Sequence, residues 1–99
     1  MGRINIVNSK RHGDDLTCGW DVNGNCYFVL IDDDDENPSF WIPVIDSIDG
    51  VEEAFELLKE PPSIILREAL IDHRMEGDEH SYIYDAKEKR LLVSDNFSE

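Results

Sequence analysis

The chain has no Lys or Arg between Arg11 and Lys59, and this stretch contains thirteen Asp and Glu residues. All nine basic residues lie outside it, and the net charge of the chain is −14. Phosphate binding needs clustered Lys and Arg, so we expect neither nucleic acid nor an anionic membrane as a direct partner. A basic surface on another protein is the natural complement. The simplest alternative is that the acid only keeps the chain soluble.

Long apolar runs are also missing. No segment approaches the length of a membrane span, and the first residues lack the apolar segment of a signal peptide. These two absences predict a cytoplasmic protein. Ninety-nine residues suffice for one hydrophobic core, so we expect a single domain over residues 1–99.

Catalytic and metal-binding motifs are absent as well. The sequence contains no G-x-S-x-G, no phosphate-binding loop and no H-E-x-x-H. The spacings of Cys18 to Cys26 and of His73 to His80 do not fit structural zinc sites. A calcium loop starting at Asp21 would have Cys26 at the position that requires Gly. We therefore predict no enzyme activity, no cofactor and no bound metal, and a metal-binding module remains an alternative.

The segment around Asn23-Gly24 is typical of a β-hairpin. Asn-Gly between apolar runs favours a two-residue type I′ turn with positive φ at both residues, and this turn would pair Asp21 with Cys26. That register places Cys18 and Cys26 on opposite faces, which favours free thiols over a disulfide. Strands are predicted over residues 3–7, 16–22, 25–32 and 40–45; Pro43 indicates that the last of these is an edge strand or contains a bulge.

Two helices follow the strands. Asp49 is expected to cap a first helix over residues 50–60, and Ser63 a second helix over 64–76 that stops at Gly77. The second helix has two apolar faces, one of which we expect the C-terminal segment to cover. That segment is predicted to form a hairpin of residues 81–85 and 90–94. The fold class is therefore α+β: an antiparallel meander sheet packed against two helices, with a C-terminal β-hairpin.

Several motifs support a resemblance. Gly19-Trp20-Asp21, the strand Tyr27-Phe28-Val29, the acidic run and Phe40-Trp41-Ile42 resemble a set of small bacterial proteins of unknown function. In that pattern Gly stands where this chain has Pro43. The resemblance covers residues 19–58 and implies a bacterial accessory protein. By size, acidity and class the chain also resembles phage-encoded inhibitors of host defence, including anti-CRISPR and anti-restriction proteins that mimic DNA.

These observations predict a small, non-enzymatic protein that occupies a basic, nucleic-acid-binding surface of a partner protein. An immunity or antitoxin protein that neutralises a toxin is the closest alternative, and an oligomeric structural module that dimerises through Ile64, Ile71 and Met75 is another. Trp20, Phe40 and Trp41 are candidate aromatic anchors. The predicted partner-binding residues are Asp14, Asp15, Asp32, Asp33, Asp34, Asp35, Glu36, Trp41, Asp46 and Asp49.

Overall fold

The computed structural model describes residues 2–32, 39–77 and 80–93, which form six strands and two helices. The strands form one sheet, and the α+β class is as predicted. None of the helices in these ranges is long and apolar enough to cross a membrane. In chain order the elements are β1 (Gly2–Val7), β2 (Leu16–Asp21), β3 (Cys26–Ile31), β4 (Phe40–Ile45), α1 (Ile48–Leu57), α2 (Ile64–Glu76), β5 (Ser81–Asp85) and β6 (Arg90–Val93).

The sheet is mixed, so the prediction of a purely antiparallel sheet is wrong in one place. The order across the sheet is β4-β3-β2-β1-β5-β6. Strands β1 to β4 form the predicted antiparallel meander, but β5 pairs with β1 in parallel. The two helices carry the chain from β4 back across the sheet, so β5 reaches the free side of β1 running in the same direction. The predicted C-terminal hairpin of β5 and β6 then extends the sheet.

The hairpin of β2 and β3 has the predicted register but a different turn. Asp21 lies opposite Cys26, and Cys18 lies opposite Val29. Residues 22–25 form the connection, and within it the only positive φ is at Asn25, 53°. The Asp21 carboxylate accepts a hydrogen bond from the Asn23 backbone N–H at 3.0 Å, which favours this longer loop over the type I′ turn.

Helix α2 has the predicted bounds and caps. The Ser63 hydroxyl accepts a hydrogen bond from the Leu66 backbone N–H, and Gly77 ends the helix in the left-handed conformation with φ 63°. For α1 the predicted cap is wrong, because Ser47 is the N-cap and accepts from the Gly50 N–H at 3.3 Å. Asp49 lies instead in the first turn, where its charge favours the helix dipole.

The hydrophobic core lies between the helices and one face of the sheet. Alternate strand residues point into it, as the period of two along a strand requires. Helix α1 contributes Val51, Ala54 and Phe55, and α2 contributes Leu66, Ala69, Leu70 and His73. From the sheet, the fully buried aliphatic and cysteine side chains are Ile4, Ile6, Leu16, Cys18 and Val29.

The second apolar side of α2 is exposed in the described residues. The β5–β6 hairpin was expected to cover it but joins the sheet instead, because β5 finds a pairing partner in β1. Ile64 is 66% exposed and Met75 80% exposed, while Ile71 is half-buried. The expectation of an intramolecular cover is therefore wrong for these residues.

The face of the sheet turned away from the helices is called the outer face below. Phe28 lies on it and is nevertheless buried, because its ring fills the space above Gly19. A Cβ atom on Gly19 would lie 2.7 Å from Phe28 Cζ and 2.1 Å from the Gly2 carbonyl oxygen. Gly19 therefore allows both the close approach of β1 and the seating of this ring.

Candidate partner-binding surface

Three of the predicted acidic residues meet at one end of the sheet. At this end, called the loop end below, β1, β3 and β5 finish and β2, β4 and β6 begin. Asp14 and Asp15 precede β2, and Asp32 follows the neighbouring β3. The Asp32 backbone N–H donates to the Asp15 carbonyl oxygen at 2.7 Å, so the two residues are held side by side. All three residues are exposed.

The segment 8–15 that carries Asp14 and Asp15 is tightly hydrogen-bonded. The backbones of Ser9 and Gly13 exchange two hydrogen bonds of 2.9 and 3.0 Å, and Gly13 adopts a φ of 62° that suits glycine. The Asp14 carboxylate accepts from the Asn8 backbone N–H at 3.0 Å. The Asn5 side-chain amide donates to the Asp14 carbonyl oxygen at 3.0 Å. The acidic residues next to β2 therefore stand on a defined loop.

The other predicted acidic residues are not gathered there. Asp33, Asp34, Asp35 and Glu36 lie outside the described residues. Asp46 and Asp49 are exposed at the opposite end of the sheet, where β4 leads into α1. Asp49 lies 3.5 Å from the guanidinium of Arg67, which also contacts Glu52. Asp49 is therefore partly neutralised by a neighbouring cation.

Trp41 is the exposed aromatic residue of this region. It lies on the edge strand β4 opposite Leu30 of β3, and 62% of its surface is exposed. Leu30 and Asp32 are two residues apart, so Trp41 and the Asp32 carboxylate share the outer face near the loop end. Pro43 follows in the same strand, and the β3–β4 pairing is irregular there, which confirms the predicted edge position and bulge.

The other two candidate anchors contribute to the core. Trp20 is only 3% exposed and packs edge-to-face against Tyr27, with ring centroids 4.9 Å apart. The Arg74 guanidinium lies 5.3 Å from the centre of the Trp20 ring and shields it further. Phe40 is half-buried against the core. Trp20 cannot act as an anchor, because alternation along β2 turns it toward the helices.

Asp14, Asp15 and Asp32 are called the acidic cluster below. Among the described residues, one basic side chain forms an ion pair with this cluster. Arg3 projects from β1 on the outer face, and its guanidinium lies 3.9 Å from the Asp32 carboxylate. Both side chains are nearly half exposed, so this ion pair contributes little to stability. Arg3 lowers the negative charge around Asp32 but leaves Asp14 and Asp15 without a cation among the described residues.

The cysteine and histidine side chains are occupied in packing and hydrogen bonding. Burial raises the pKa of the Cys18 thiol to about 12, so it stays protonated at neutral pH. Cys26 is buried on the outer side, where its thiol donates to the Pro43 carbonyl oxygen at 3.6 Å. His73 stacks on Tyr82 with ring centroids 4.7 Å apart. Within residues 2–32, 39–77 and 80–93, no group of three or more His, Cys, Asp or Glu is placed to hold a metal ion.

The structure also assembles a basic surface that was not predicted. Five Lys and Arg side chains from three separate segments line one groove beside the start of α2. The sequence placed the basic residues on both sides of the acidic stretch, but nothing in their spacing indicated that they converge. They are Lys10, Arg11, Lys59, Lys87 and Lys89.

Comparison of the chain with protein-family models, curated proteins and solved structures gave no significant match.

Proposed function

We propose that this chain is a cytoplasmic, non-enzymatic binding protein that occupies a basic, nucleic-acid-binding surface of a partner protein. The observation that supports this function best is the exposure of Trp41 on an edge strand, on the same face and near the same end of the sheet as Asp32. Exposed aromatic residues surrounded by polar groups commonly provide most of the binding energy at protein interfaces. Carboxylates around such an anchor attract a basic surface and speed association.

In this proposal the loop end provides two kinds of contact. Trp41 supplies the apolar anchor, and the hydrogen-bonded loop carrying Asp14 and Asp15, together with Asp32, supplies fixed negative charge. The predicted run from Asp33 to Glu36 lies outside the described residues, and in this proposal its four acidic residues add to the negative charge that attracts the partner. Asp46 and Asp49 lie at the other end of the sheet, so they contribute only to the overall field.

A pull-down from bacterial lysate, eluted with a salt gradient, tests this proposal. The bait is the full chain, and each retained protein is challenged with duplex DNA, which should displace a partner held through its nucleic-acid-binding surface. Trp41→Ala should abolish retention. Triple reversal of Asp33, Asp34 and Asp35 to Lys should weaken retention and flatten its salt dependence.

A charge-matched control separates a site from general acidity. Reversal of Glu53, Glu56 and Glu68 to Lys changes the net charge by the same amount on exposed positions of the two helices. We expect this triple variant to retain the partner. Equal loss in both triple variants, or retention unaffected by Trp41→Ala, would contradict the assignment of the site.

Two alternative functions remain, one that uses the loop end and one that uses helix α2. An immunity or antitoxin protein would use the same contacts as the proposed inhibitor. Retention of a toxin that duplex DNA does not displace would identify this function.

A homodimer through α2 is the second candidate, because Ile64 and Met75 are the most exposed aliphatic side chains of that helix and Ile71 lies between them. Sedimentation of the wild type and of Met75→Lys distinguishes it: a dimer should dissociate in the variant.

A further inference from the structure

A groove of about 1050 Å³ lies beside the start of α2, on the helix-covered side of the loop end. Three segments that are far apart in sequence form its walls. They are the loop after β1, the connection between α1 and α2, and the turn between β5 and β6. This groove is called the basic groove below, and its lining includes neither Trp41 nor Asp14, Asp15 or Asp32.

Hydrogen bonds hold the walls of the basic groove in place. The Ser9 hydroxyl donates to the Glu60 carboxylate at 2.6 Å, and both residues are buried. A ring nitrogen of His12 lies 2.7 Å from the Leu58 carbonyl oxygen. On the other side, the Asn8 side-chain amide donates to the Asp85 carboxylate at 3.1 Å. The groove is thus a built feature of the fold, because each of its segments is tied to another.

The charge of the basic groove is opposite to that of the protein. Five of the nine Lys and Arg residues line it, although the chain has a net charge of −14. None of the five forms an ion pair with a carboxylate in the described part of the chain. Glu60 is the acidic residue of the lining, and its carboxylate is engaged by Ser9. Such a cluster of like charges is unfavourable by itself, and a bound anion would neutralise it.

The floor of the basic groove is mainly apolar. Pro61, Pro62, Ile64 and Ile65 form one side, and Tyr84 closes it from the sheet. The Tyr84 and Ser63 hydroxyls are 3.1 Å apart and give the floor one polar point. A ligand that uses the whole site therefore combines an apolar body with an anionic group.

We propose that the basic groove binds a small organic phosphate, an apolar or aromatic body that carries a phosphate group. Four of the five cations are lysines, whose compact ammonium groups bind phosphate as point charges. The groove is about as large as the upper range of small-molecule sites, roughly 300–1,000 Å³. A nucleic acid fits poorly, because a long polyanion extends past the groove over the acidic surface and is repelled there.

Binding of 1-naphthyl phosphate to the full chain, followed by backbone amide NMR shifts, tests this proposal. Inorganic phosphate and 1-naphthol serve as probes for the charge alone and for the body alone. Saturable binding of 1-naphthyl phosphate is expected, with shifts at the segments that form the groove and weaker binding of both partial probes. Lys87→Glu and Lys10→Glu should each weaken binding about tenfold.

Arg74→Glu is the matched control. It changes the net charge as Lys87→Glu does, and Arg74 is exposed in the last turn of α2 but does not line the groove. It should leave the affinity within about twofold of the wild type. Equal weakening by Arg74→Glu, or no saturable binding to the wild type, would overturn the proposal. Binding of a glutamate-rich peptide in place of 1-naphthyl phosphate would also overturn it and assign the groove to a segment of a protein.

Discussion

The acidic cluster beside Trp41 and the basic groove lie at the same end of one sheet, yet they arise in different ways. Most of the acid belongs to one stretch without any Lys or Arg, so its concentration is visible in the sequence. The cations of the groove come from residues 10–11, 59 and 87–89, and they meet only because β5 pairs with β1 and α1 returns to the loop end. Charge that is local in sequence can be predicted, and charge gathered by topology cannot.

The loop between β1 and β2 belongs to both regions. Lys10 and Arg11 line the groove, while the Asp15 backbone is hydrogen-bonded to Asp32 and the Asp14 carboxylate to the Asn8 backbone. The short bridge between Ser9 and Gly13 fixes the loop, so charges of opposite sign are held apart within a few residues.

The two tryptophans provide the largest expected contrast. Trp20→Ala removes a buried ring from the core and should lower the free energy of unfolding by about 3–5 kcal/mol. Trp41→Ala removes an exposed ring and should change it by less than about 0.5 kcal/mol. Urea unfolding monitored by circular dichroism measures both. Similar losses in the two variants would contradict the division of the aromatic residues into core and surface.

Glu60 should affect the basic groove through both its hydrogen bond and its charge. Glu60→Ala leaves the buried Ser9 hydroxyl without its acceptor and should lower the free energy of unfolding by about 1–3 kcal/mol. Glu60→Gln keeps an acceptor oxygen but removes the negative charge, so it should cost less and bind 1-naphthyl phosphate more tightly. Urea unfolding and the NMR titration measure these effects, with the exposed Glu56→Gln as a control. Weaker phosphate binding by Glu60→Gln would show that the groove depends on the carboxylate itself.

Asp85 should give the smallest effect, and this effect depends on pH. The Asn8 side-chain hydrogen bond and the backbone N–H of Glu88 and Lys87 lower the pKa of the Asp85 carboxyl. A lowered pKa in the folded state stabilises the fold above the unfolded-state pKa, and this stabilisation is lost as pH falls through the folded-state pKa. Asp85→Asn should therefore lower the melting temperature slightly at pH 7, and the difference should disappear in strong acid. A difference that grows in acid would contradict these hydrogen bonds.

Local signals in the sequence predicted local structure well. The bounds of α2 were predicted correctly, because Ser63 and Gly77 act on their immediate neighbours, and Pro43 correctly indicated the edge position of β4. The cap of α1 was misplaced by two residues, since Ser47 and Asp49 are both good caps and the backbone geometry decides between them. The parallel pairing of β1 with β5 spans most of the chain and leaves no local pattern.

The candidate site was predicted in part for a similar reason. Alternation along β4 does not tell which of its faces the helices cover, so the exposure of Trp41 and the half-burial of Phe40 required the structure. Asp32 lies at one end of the sheet, and Asp46 and Asp49 lie at the other, because β4 runs the length of the sheet between them. The number of acidic residues in this stretch does not show that they are separated in this way.

The central claim is that Trp41 is exposed to solvent and surrounded by negative charge. Collisional quenching of tryptophan fluorescence tests this claim most directly. Caesium ions are attracted by negative charge and iodide ions are repelled, so low salt makes their difference largest. We predict that caesium quenches one fraction of the emission strongly, that iodide quenches it weakly, and that Trp41→Phe removes this fraction while the shielded emission of Trp20 remains. The account would be contradicted if iodide quenched this fraction as strongly as caesium does. It would also be contradicted if the same fraction were still present in Trp41→Phe.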